Sequence, residues 1–298
     1  MSKFVLAAAL CVAVASAADE AAPKWWYGPS VEEIKGYGPE DWAHGVGFEA
    51  CGGDRQSPIN FAAPTVMNKD MKDSTLSVTS RGCSSDVVGY YVTGYGWQVN
   101  MDACEAKNNA HFNDKTYELL QFHFHTPSEH TVGGGHHDAD VHMVHVNVDD
   151  PTDLLVIGVF IDAASEWSDN TVLDKFWPGL EASAEEVYNA EEGEETGHRR
   201  LRRRLQDTSD SDMAHEMVYP YEILPGVMDY FTYLGSLTTP PCSEIVTWVH
   251  MSEVIPMSTV QFEKFHDGVA NHPETQMHKG HSNRPTQDLN DRAVHYYS

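Results

Sequence analysis

Apolar and polar residues alternate along much of the middle of the chain, which is the pattern of β-strands with one buried face. Segment 154–160 (LLVIGVF) is apolar at both sets of alternating positions and predicts a strand buried on both faces. Helical spacing is limited to short segments such as 258–269, where Ser258 is placed to cap the N-terminus. The pattern predicts a mainly β (α+β) fold with peripheral short helices. The predicted strands, rich in β-branched and aromatic residues, cover 75–80, 86–101, 117–125, 140–148, 153–162 and 243–251.

The N-terminus carries an apolar segment of a different kind. Lys3 precedes the apolar run 4–14, and residues 15–17 form the small-x-small pattern of a signal-peptidase site. The run is too short for a membrane-spanning helix, so we expect a signal peptide over 1–17, cleaved before Ala18. A buried N-terminal helix is the alternative, but an acidic segment follows at once. The sequence predicts secretion to the extracellular medium or a periplasmic-type space.

The chain is strongly acidic, with a formal net charge of −26 at pH 7. This charge disfavours nucleic acid and anionic membranes as partners. Segment 183–216 departs from the strand pattern, because acidic residues flank the arginine block 199–204 and large apolar residues are few. Such a segment buries too little to fold alone, which predicts a surface insertion. A basic-residue protease could cut it at the arginines, or it could stay intact with arginines paired to glutamates.

Four cysteines remain after the predicted signal peptide, since Cys11 lies within it: Cys51, Cys83, Cys104 and Cys242. An even number in a secreted chain predicts two disulfides, for which three pairings are possible. A zinc–thiolate site is the competing interpretation. It is disfavoured because these cysteines lie far apart and none forms a C-x-x-C pair.

Two histidines, His123 and His125, lie two residues apart in the predicted strand 117–125. Side chains two apart on a strand point to the same side, so both imidazoles can approach one metal ion. If strand 140–148 pairs with this one, His142 completes a set of three. Three imidazoles with one open position are typical of a catalytic zinc site.

The spacing of His123, His125 and Glu129 also fits the H-x-H-x3-E motif of cupin barrels. Tyr117 stands where that motif has glycine, and the second cupin motif, P-x-G-x-x-H, is absent around the downstream histidines. A cupin is therefore a distant alternative.

Motifs along almost all of the mature chain resemble the α-class carbonic anhydrases. The order of QFHFH, SEHT and SLTTPP is highly specific. The resemblance implies one domain over 18–298, built around a twisted, mainly antiparallel ten-stranded sheet and carrying the insertion at about 183–216. The matching segments are GPEDW (38–42), QSPIN (56–60), YELLQFHFH (117–125), SEHTV (128–132), DVHMVHVN (140–147), SLTTPPCSEIVTW (236–248) and NRPTQDLNDR (283–292).

The resemblance also implies an activity. The chain is expected to be a secreted zinc enzyme, a carbonate dehydratase, that reversibly hydrates carbon dioxide to bicarbonate and a proton by attack of zinc-bound hydroxide. The implied cofactor is Zn²⁺, the ligands are His123, His125 and His142, and the partners are small molecules, carbon dioxide and bicarbonate.

Further roles are implied residue by residue. Thr238 would accept a hydrogen bond from the zinc-bound hydroxide and donate one to Glu129. Gln121 would hold His123, and His130 with Tyr233 would give buried polar support. The apolar pocket for carbon dioxide would be formed by Val144, Val156, Leu237, Thr239, Val246 and Trp248.

The same resemblance pairs Cys51 with Cys242, which leaves Cys83 for Cys104. Two other functions are compatible with parts of the sequence. One is a non-catalytic binding protein on this scaffold, which would be expected if zinc histidines were lost, yet all three are present. The other is a matrix protein whose acidic surface binds Ca²⁺, although no D-x-D-x-D-G calcium loop occurs.

One departure from the family concerns Asp140. Family members usually carry glutamate two residues before the third zinc histidine, where it hydrogen-bonds the far nitrogen of His142. Aspartate is one methylene shorter, so we expect either a backbone shift or a bridging water. Loss of such a contact commonly lowers metal affinity or activity by about 10–100-fold.

A second departure is Tyr95, which aligns with the position where many members carry a proton-relaying histidine. A tyrosine with a pKa near 10 is a poor proton relay at neutral pH, whereas a histidine with a pKa near 6.5 can take up and release protons at that pH. We expect proton transfer to limit turnover. Tyr95→His should raise the turnover of carbon dioxide hydration in dilute buffer; an unchanged rate would contradict this role.

Overall fold

The computed structural model describes residues 24–30, 36–45, 47–62, 75–85, 87–93, 96–183, 217–270 and 280–298. The predicted signal peptide, Tyr95 and all of the insertion beyond residue 183 lie outside these described residues.

Strands dominate the described chain, with two α-helices and four short 3-10 helices. Helix α1 covers residues 177–183 of the described chain and α2 is Thr259–Ala270; the 3-10 helices are Trp42–His44, Glu49–Gly52, Leu173–Lys175 and Pro220–Ile223. The strands are β1 (Lys24–Trp25), β2 (Gly36–Tyr37), β3 (Asn60–Phe61), β4 (Ser77–Thr79), β5 (Cys83–Ser84), β6 (Gly89–Thr93), β7 (Gly96–Asn100), β8 (Asn109–Phe112), β9 (Lys115–His125), β10 (Thr131–Val132), β11 (Gly135–His136), β12 (Ala139–Asn147), β13 (Leu154–Ala164), β14 (Met217–Val218), β15 (Tyr230–Gly235), β16 (Val246–Met251), β17 (Ile255–Ser258) and β18 (His295–Tyr297).

One large sheet organises the fold. Its path runs β18-β15-β16-β13-β12-β9-β7-β6, with β17, β4 and β8 attached beside this path. All pairs in it are antiparallel except β13 with β16 and β13 with β17. The predicted class, a mainly antiparallel sheet with few helices, is confirmed.

The predicted count of ten strands differs from the structure, where this sheet has eleven strands among the described residues. Two strands of this sheet, β9 and β13, are eleven residues long and each pairs with two short strands along one edge. Along one edge of β13, β16 pairs with Leu154–Gly158 and β17 with Ile161–Ala164. Along one edge of β9, β8 and β7 likewise pair in succession. A long strand therefore takes two short partners in one position of the sheet.

Alternation along the central strands separates two apolar clusters. Phe122 and Phe124 of β9 belong to the larger cluster, together with Val141 and Met143 of β12. The smaller one, called here the site-side cluster, contains Ile59, Phe61, Leu120, Val144, Val146, Leu154, Val156, Phe160, Phe231, Tyr233, Leu237, Val246 and Trp248. Since β13 contributes to both clusters, its apolar run is buried on both faces, as its sequence predicts.

Helix α2 begins where the sequence predicts. The hydroxyl oxygen of Ser258 accepts the backbone N–H of Gln261 at 3.0 Å, which satisfies a donor that the first helical turn leaves free. The helix packs Phe265 and Val269 onto the larger cluster, and the indole N–H of Trp97 donates to the Phe265 carbonyl at 2.8 Å.

Two disulfides join the described cysteines. They link Cys51 to Cys242 and Cys83 to Cys104, with sequence separations of 191 and 21 residues. These are the pairs that the resemblance implies. Buried disulfides of this kind are typical of an oxidising compartment.

Candidate metal centre

The pairing of β9 with β12 brings the three histidines together. His142 lies directly opposite His123 in this antiparallel pair, and His125 is two residues further along β9. The ring centroids are 4.9 Å apart for His123 and His125, 5.4 Å for His123 and His142, and 4.7 Å for His125 and His142. One nitrogen from each ring lies within 4.8 Å of the other two, so the set can surround a single ion.

The outer nitrogen of each ring is held by a hydrogen-bond acceptor. His123 Nδ1 donates to Gln121 Oε1 at 2.9 Å, and His125 Nδ1 donates to the backbone carbonyl of Ser282. His142 differs in using Nε2, which donates to Asp140 Oδ2 at 3.1 Å. These contacts fix the tautomers, leaving Nε2 of His123 and His125 and Nδ1 of His142 with lone pairs toward the common centre.

Asp140 bonds to His142 directly, so the expected bridging water is not needed. The same oxygen, Oδ2, also accepts the backbone N–H of Glu129 at 3.0 Å. Burial acts to raise the pKa of the Asp140 carboxyl, but the interaction with the neighbouring His142, including its hydrogen bond, outweighs burial and holds that pKa well below its usual range. Asp140 is therefore a buried carboxylate that orients the His142 ring through Nε2.

Glu129 is fully buried and lies beside the metal-facing nitrogens of His125 and His142. Its Oε1 accepts the backbone N–H of Arg284 at 2.8 Å. Its Oε2 is 3.4 Å from His125 Nε2 and 3.7 Å from His142 Nδ1, and has no hydrogen-bond partner among the described residues. The expected hydrogen bond from Thr238 to Glu129 is therefore not formed here: Oε1 accepts from Arg284, and Oε2 has no partner and faces the imidazoles.

The donor set fits a metal ion. His125 Nε2 and His142 Nδ1 are buried and have no hydrogen-bond partner within the described part of the chain. A buried unpartnered polar atom is costly, and two neutral imidazole lone pairs beside a carboxylate would be satisfied by a cation. His123 is partly exposed, so the centre reaches solvent on its side. Burial, followed by the neighbouring histidines His125 and His142, keeps the pKa of His123 well below its usual value, which favours the neutral form that binds metals.

The loop after β15 carries Thr238, which is buried. Ser236 anchors the loop: its hydroxyl accepts the backbone N–H of Ser57 at 2.9 Å, and its carbonyl accepts the indole N–H of Trp248 at 3.0 Å. At the other end, Cys242 is tied to Cys51. Thr238 is therefore held between two fixed points.

The predicted pocket residues lie together on the site-side cluster, which includes Val144, Val156, Leu237, Val246 and Trp248. The Trp248 ring centroid is 4.8 Å from that of His142, so this apolar surface adjoins the imidazoles. Thr239, also predicted here, is only partly buried; its carbonyl accepts the backbone N–H of Cys242 within the loop.

The predicted polar support is also assembled. His130 Nε2 and the Tyr233 hydroxyl are 2.7 Å apart, and Tyr233 donates to Ser57 Oγ at 2.8 Å. His130 stacks on Phe61 with centroids 5.2 Å apart. These contacts link the segment after β9 to the loop that carries Thr238.

The family model of the eukaryotic-type carbonic anhydrases matches residues 37–298. The chain belongs to this family. The carbonic anhydrase of Nostoc sp. strain PCC 7120 is 32% identical over 259 residues, which cover 86% of this chain and 82% of that protein. The carbonic anhydrase of Neisseria gonorrhoeae is 30% identical over 258 residues, covering 86% and 83%.

A solved structure gives the same result. The α-carbonic anhydrase of Thermovibrio ammonificans, in complex with the inhibitor sulfanilamide, matches with a TM-score of 0.65 at 28% identity. The match covers 92% of this chain and 99% of that one. Membership of the α-carbonic anhydrases supports carbonic anhydrase activity.

Two contacts of the centre were not predicted from the sequence. Ser282 supplies the carbonyl that holds His125, and the backbone N–H of Arg284 donates to Glu129 Oε1. The buried guanidinium of Arg284 donates to the carbonyls of Cys51 and Ser57, which fixes this segment. Arg284 belongs to the segment 283–292, and the match of this segment to the family was the sequence feature that could have pointed to it. Its role depends on backbone groups far away in sequence, which no local pattern shows.

Proposed function

We propose that the chain is a secreted zinc carbonic anhydrase that reversibly hydrates carbon dioxide to bicarbonate and a proton. The observation that carries the proposal is the set of three oriented imidazoles, His123, His125 and His142, beside an apolar surface within the α-carbonic anhydrase fold. Three histidine ligands leave a fourth position open, as in catalytic rather than structural zinc sites.

Zinc held by these nitrogens would act as a Lewis acid and make a nucleophile available from water at neutral pH. The chain's own residues supply orientation. Gln121, Asp140 and the Ser282 carbonyl fix the three rings, so little rearrangement is needed to form the centre. Such contacts are worth about 10–100-fold in affinity or activity.

The apolar surface is suited to the substrate. Carbon dioxide carries no charge, so it offers nothing for a charged side chain to hold. Val144, Val156 and Trp248 present apolar atoms beside the imidazoles, where a small uncharged molecule displaces water at little cost. We assign substrate binding to this surface.

Thr238 is assigned the orienting hydroxyl. Its hydrogen bond to Glu129 is not present in the structure and is part of this proposal, which requires Glu129 Oε2 to turn from the imidazoles toward Thr238. Thr238→Val removes the hydroxyl at nearly constant volume, and we expect kcat/KM for hydration to fall about 100-fold, the size typical of one lost orienting group. Zinc content should be unchanged. Thr238→Ser, which keeps the hydroxyl, is the matched control. A valine variant within a few-fold of the wild type would remove Thr238 from the mechanism.

Secretion is supported by the two disulfides and by the pattern of residues 1–17. Among the described residues, no helix has the length and apolar character needed to cross a membrane. Expression of the full chain in a secreting host, followed by N-terminal sequencing of the exported protein, should give Ala18 as the first residue. Retention of the full-length chain inside the cell would contradict this part of the proposal.

The activity is tested by removing and restoring the metal. Purified protein treated with a strong zinc chelator should lose hydration of carbon dioxide and regain it on addition of Zn²⁺. Restoration by Mg²⁺ alone, or hydration that persists in zinc-free protein, would contradict a three-histidine zinc centre, because imidazole ligands do not suit Mg²⁺.

A further inference from the structure

His250 is a fully buried histidine to which the mechanism above gives no role. It lies on β16, and the pairing of β12, β13 and β16 places it in one row with His142 and Gly158: His142 is opposite Gly158, and Gly158 is opposite His250. Residues paired in this way point to the same face of a sheet. His250 therefore shares the face that carries the metal centre.

Gly158 allows the imidazole of His250 to reach across β13. A Cβ atom at position 158 would lie 2.3 Å from His250 Cδ2, so the ring occupies the space that a side chain would fill. A glycine inside a strand often marks such a close approach. The ring packs on Phe160 with centroids 4.0 Å apart. As a result, His250 Nε2 comes within 4.0 Å of Asp140 Oδ2, two strands away.

The Asp140 carboxylate needs a further donor. Its Oδ2 accepts from His142 and from the Glu129 backbone, but Oδ1 has no hydrogen-bond partner in the described chain. His250 Nε2 is also buried and has no partner there. Leaving either atom unsatisfied in the interior is costly. The carboxylate oxygen closest to His250 Nε2 is Oδ2, at 4.0 Å, so a rotation of the carboxylate would be needed for Nε2–H to donate to it.

We propose that His250 is a positioning residue whose Nε2–H donates to the Asp140 carboxylate and so holds the carboxylate against His142. This inference rests on the proposed zinc centre. It also explains how aspartate can serve at position 140, where family members usually carry the longer glutamate. The imidazole of His250, which lies over Gly158, would hold the shorter carboxylate in place by a hydrogen bond.

The proposal specifies the tautomer of His250. Nδ1 lies 3.1 Å from the carbonyl of the next residue, Met251, so the ring has two possible acceptors. A hydrogen bond to a carboxylate is about twice as strong as one to a neutral carbonyl, which favours the proton on Nε2. NMR of the zinc-loaded protein labelled with ¹⁵N-histidine should show His250 protonated at Nε2. Protonation at Nδ1 alone would overturn the proposal.

The functional test compares zinc dissociation constants, measured by competition with a chelator. His250→Val should weaken zinc binding by about 10–100-fold, the size of other losses behind a ligand histidine. His250→Gln, whose amide can donate from a similar position, should retain most of the affinity. His145→Val is the matched control: His145 is equally buried, but it bonds Tyr221 and the Leu155 carbonyl and should leave zinc affinity unchanged.

A double variant separates this role from general destabilisation. Asp140→Glu alone should crowd the His250 ring and weaken zinc binding. With His250→Val, the longer carboxylate gains room to reach His142, so the double variant should bind zinc about tenfold more tightly than His250→Val alone. A double variant that binds zinc no more tightly than His250→Val alone would overturn the proposal.

Two further outcomes are decisive. Wild-type zinc affinity in His250→Val would refute the role of His250 while leaving the zinc centre intact. Failure of the wild-type protein itself to bind zinc would instead refute the proposed function. Nitrogen and oxygen atoms of His130, Asp140, His142 and His250 lie within 4.8 Å of one another, so two metal ions per chain would assign this cluster to a second metal and also overturn the proposal.

Discussion

Replacing His142 with alanine should nearly abolish zinc binding and, with it, hydration of carbon dioxide. Zinc sites in small proteins bind with about 10–16 kcal/mol, or roughly 3 kcal/mol for each of four ligands. Loss of one imidazole should therefore weaken zinc affinity by about 100-fold or more. The change also leaves the buried Asp140 carboxylate without the imidazole N–H of His142, from which it now accepts a hydrogen bond at 3.1 Å.

The measurement is zinc affinity by chelator competition together with hydration by stopped flow. His145→Ala is the control, since His145 lies on the same strand, is equally buried and stacks on Tyr221, which belongs to the larger core cluster. Both variants lose a buried imidazole, but only His142→Ala should lose zinc. If both bound zinc like the wild type, His142 would not be a ligand.

Loss of the Cys51–Cys242 disulfide should have the second-largest effect. A cross-link over 191 residues restricts the unfolded chain, and loop-closure entropy gives a stabilisation of about 5 kcal/mol. The free energy of unfolding of the Cys51→Ser, Cys242→Ser double variant, measured with urea, should be lower than that of the wild type by this amount. Since Cys242 ends the loop that carries Thr238, hydration activity should also fall in the folded fraction.

The second disulfide supplies a matched comparison. Cys83 and Cys104 are separated by 21 residues, for which the same relation gives about 3 kcal/mol. Replacing that pair with serine should destabilise the protein less and leave kcat/KM close to that of the wild type, because no residue of the metal centre adjoins it in sequence. An equal loss of stability from the two pairs would show that chain entropy does not account for the difference.

The metal centre could be predicted because its geometry is nearly local. Alternation on a strand puts His123 and His125 on one side, and one strand pairing adds His142. The structure shows that pairing in the required register. The same alternation accounts for Phe122 and Phe124 in the larger cluster. Short-range periodicity therefore determined most of what the centre needs.

Contacts over long sequence separations could not be predicted in this way. The carbonyl that holds His125 belongs to Ser282, 157 residues later in the chain. The backbone N–H that donates to Glu129 Oε1 belongs to Arg284, 155 residues later. The approach of His250 to Asp140 depends on an intervening glycine on a third strand.

Three histidines on two paired strands are proposed to hold a catalytic zinc ion. Zinc content and stopped-flow hydration of carbon dioxide, measured on one preparation of the mature protein, test this proposal. We expect about one zinc per chain and hydration that scales with zinc occupancy. Zinc at that level without hydration, or hydration independent of zinc, would contradict it.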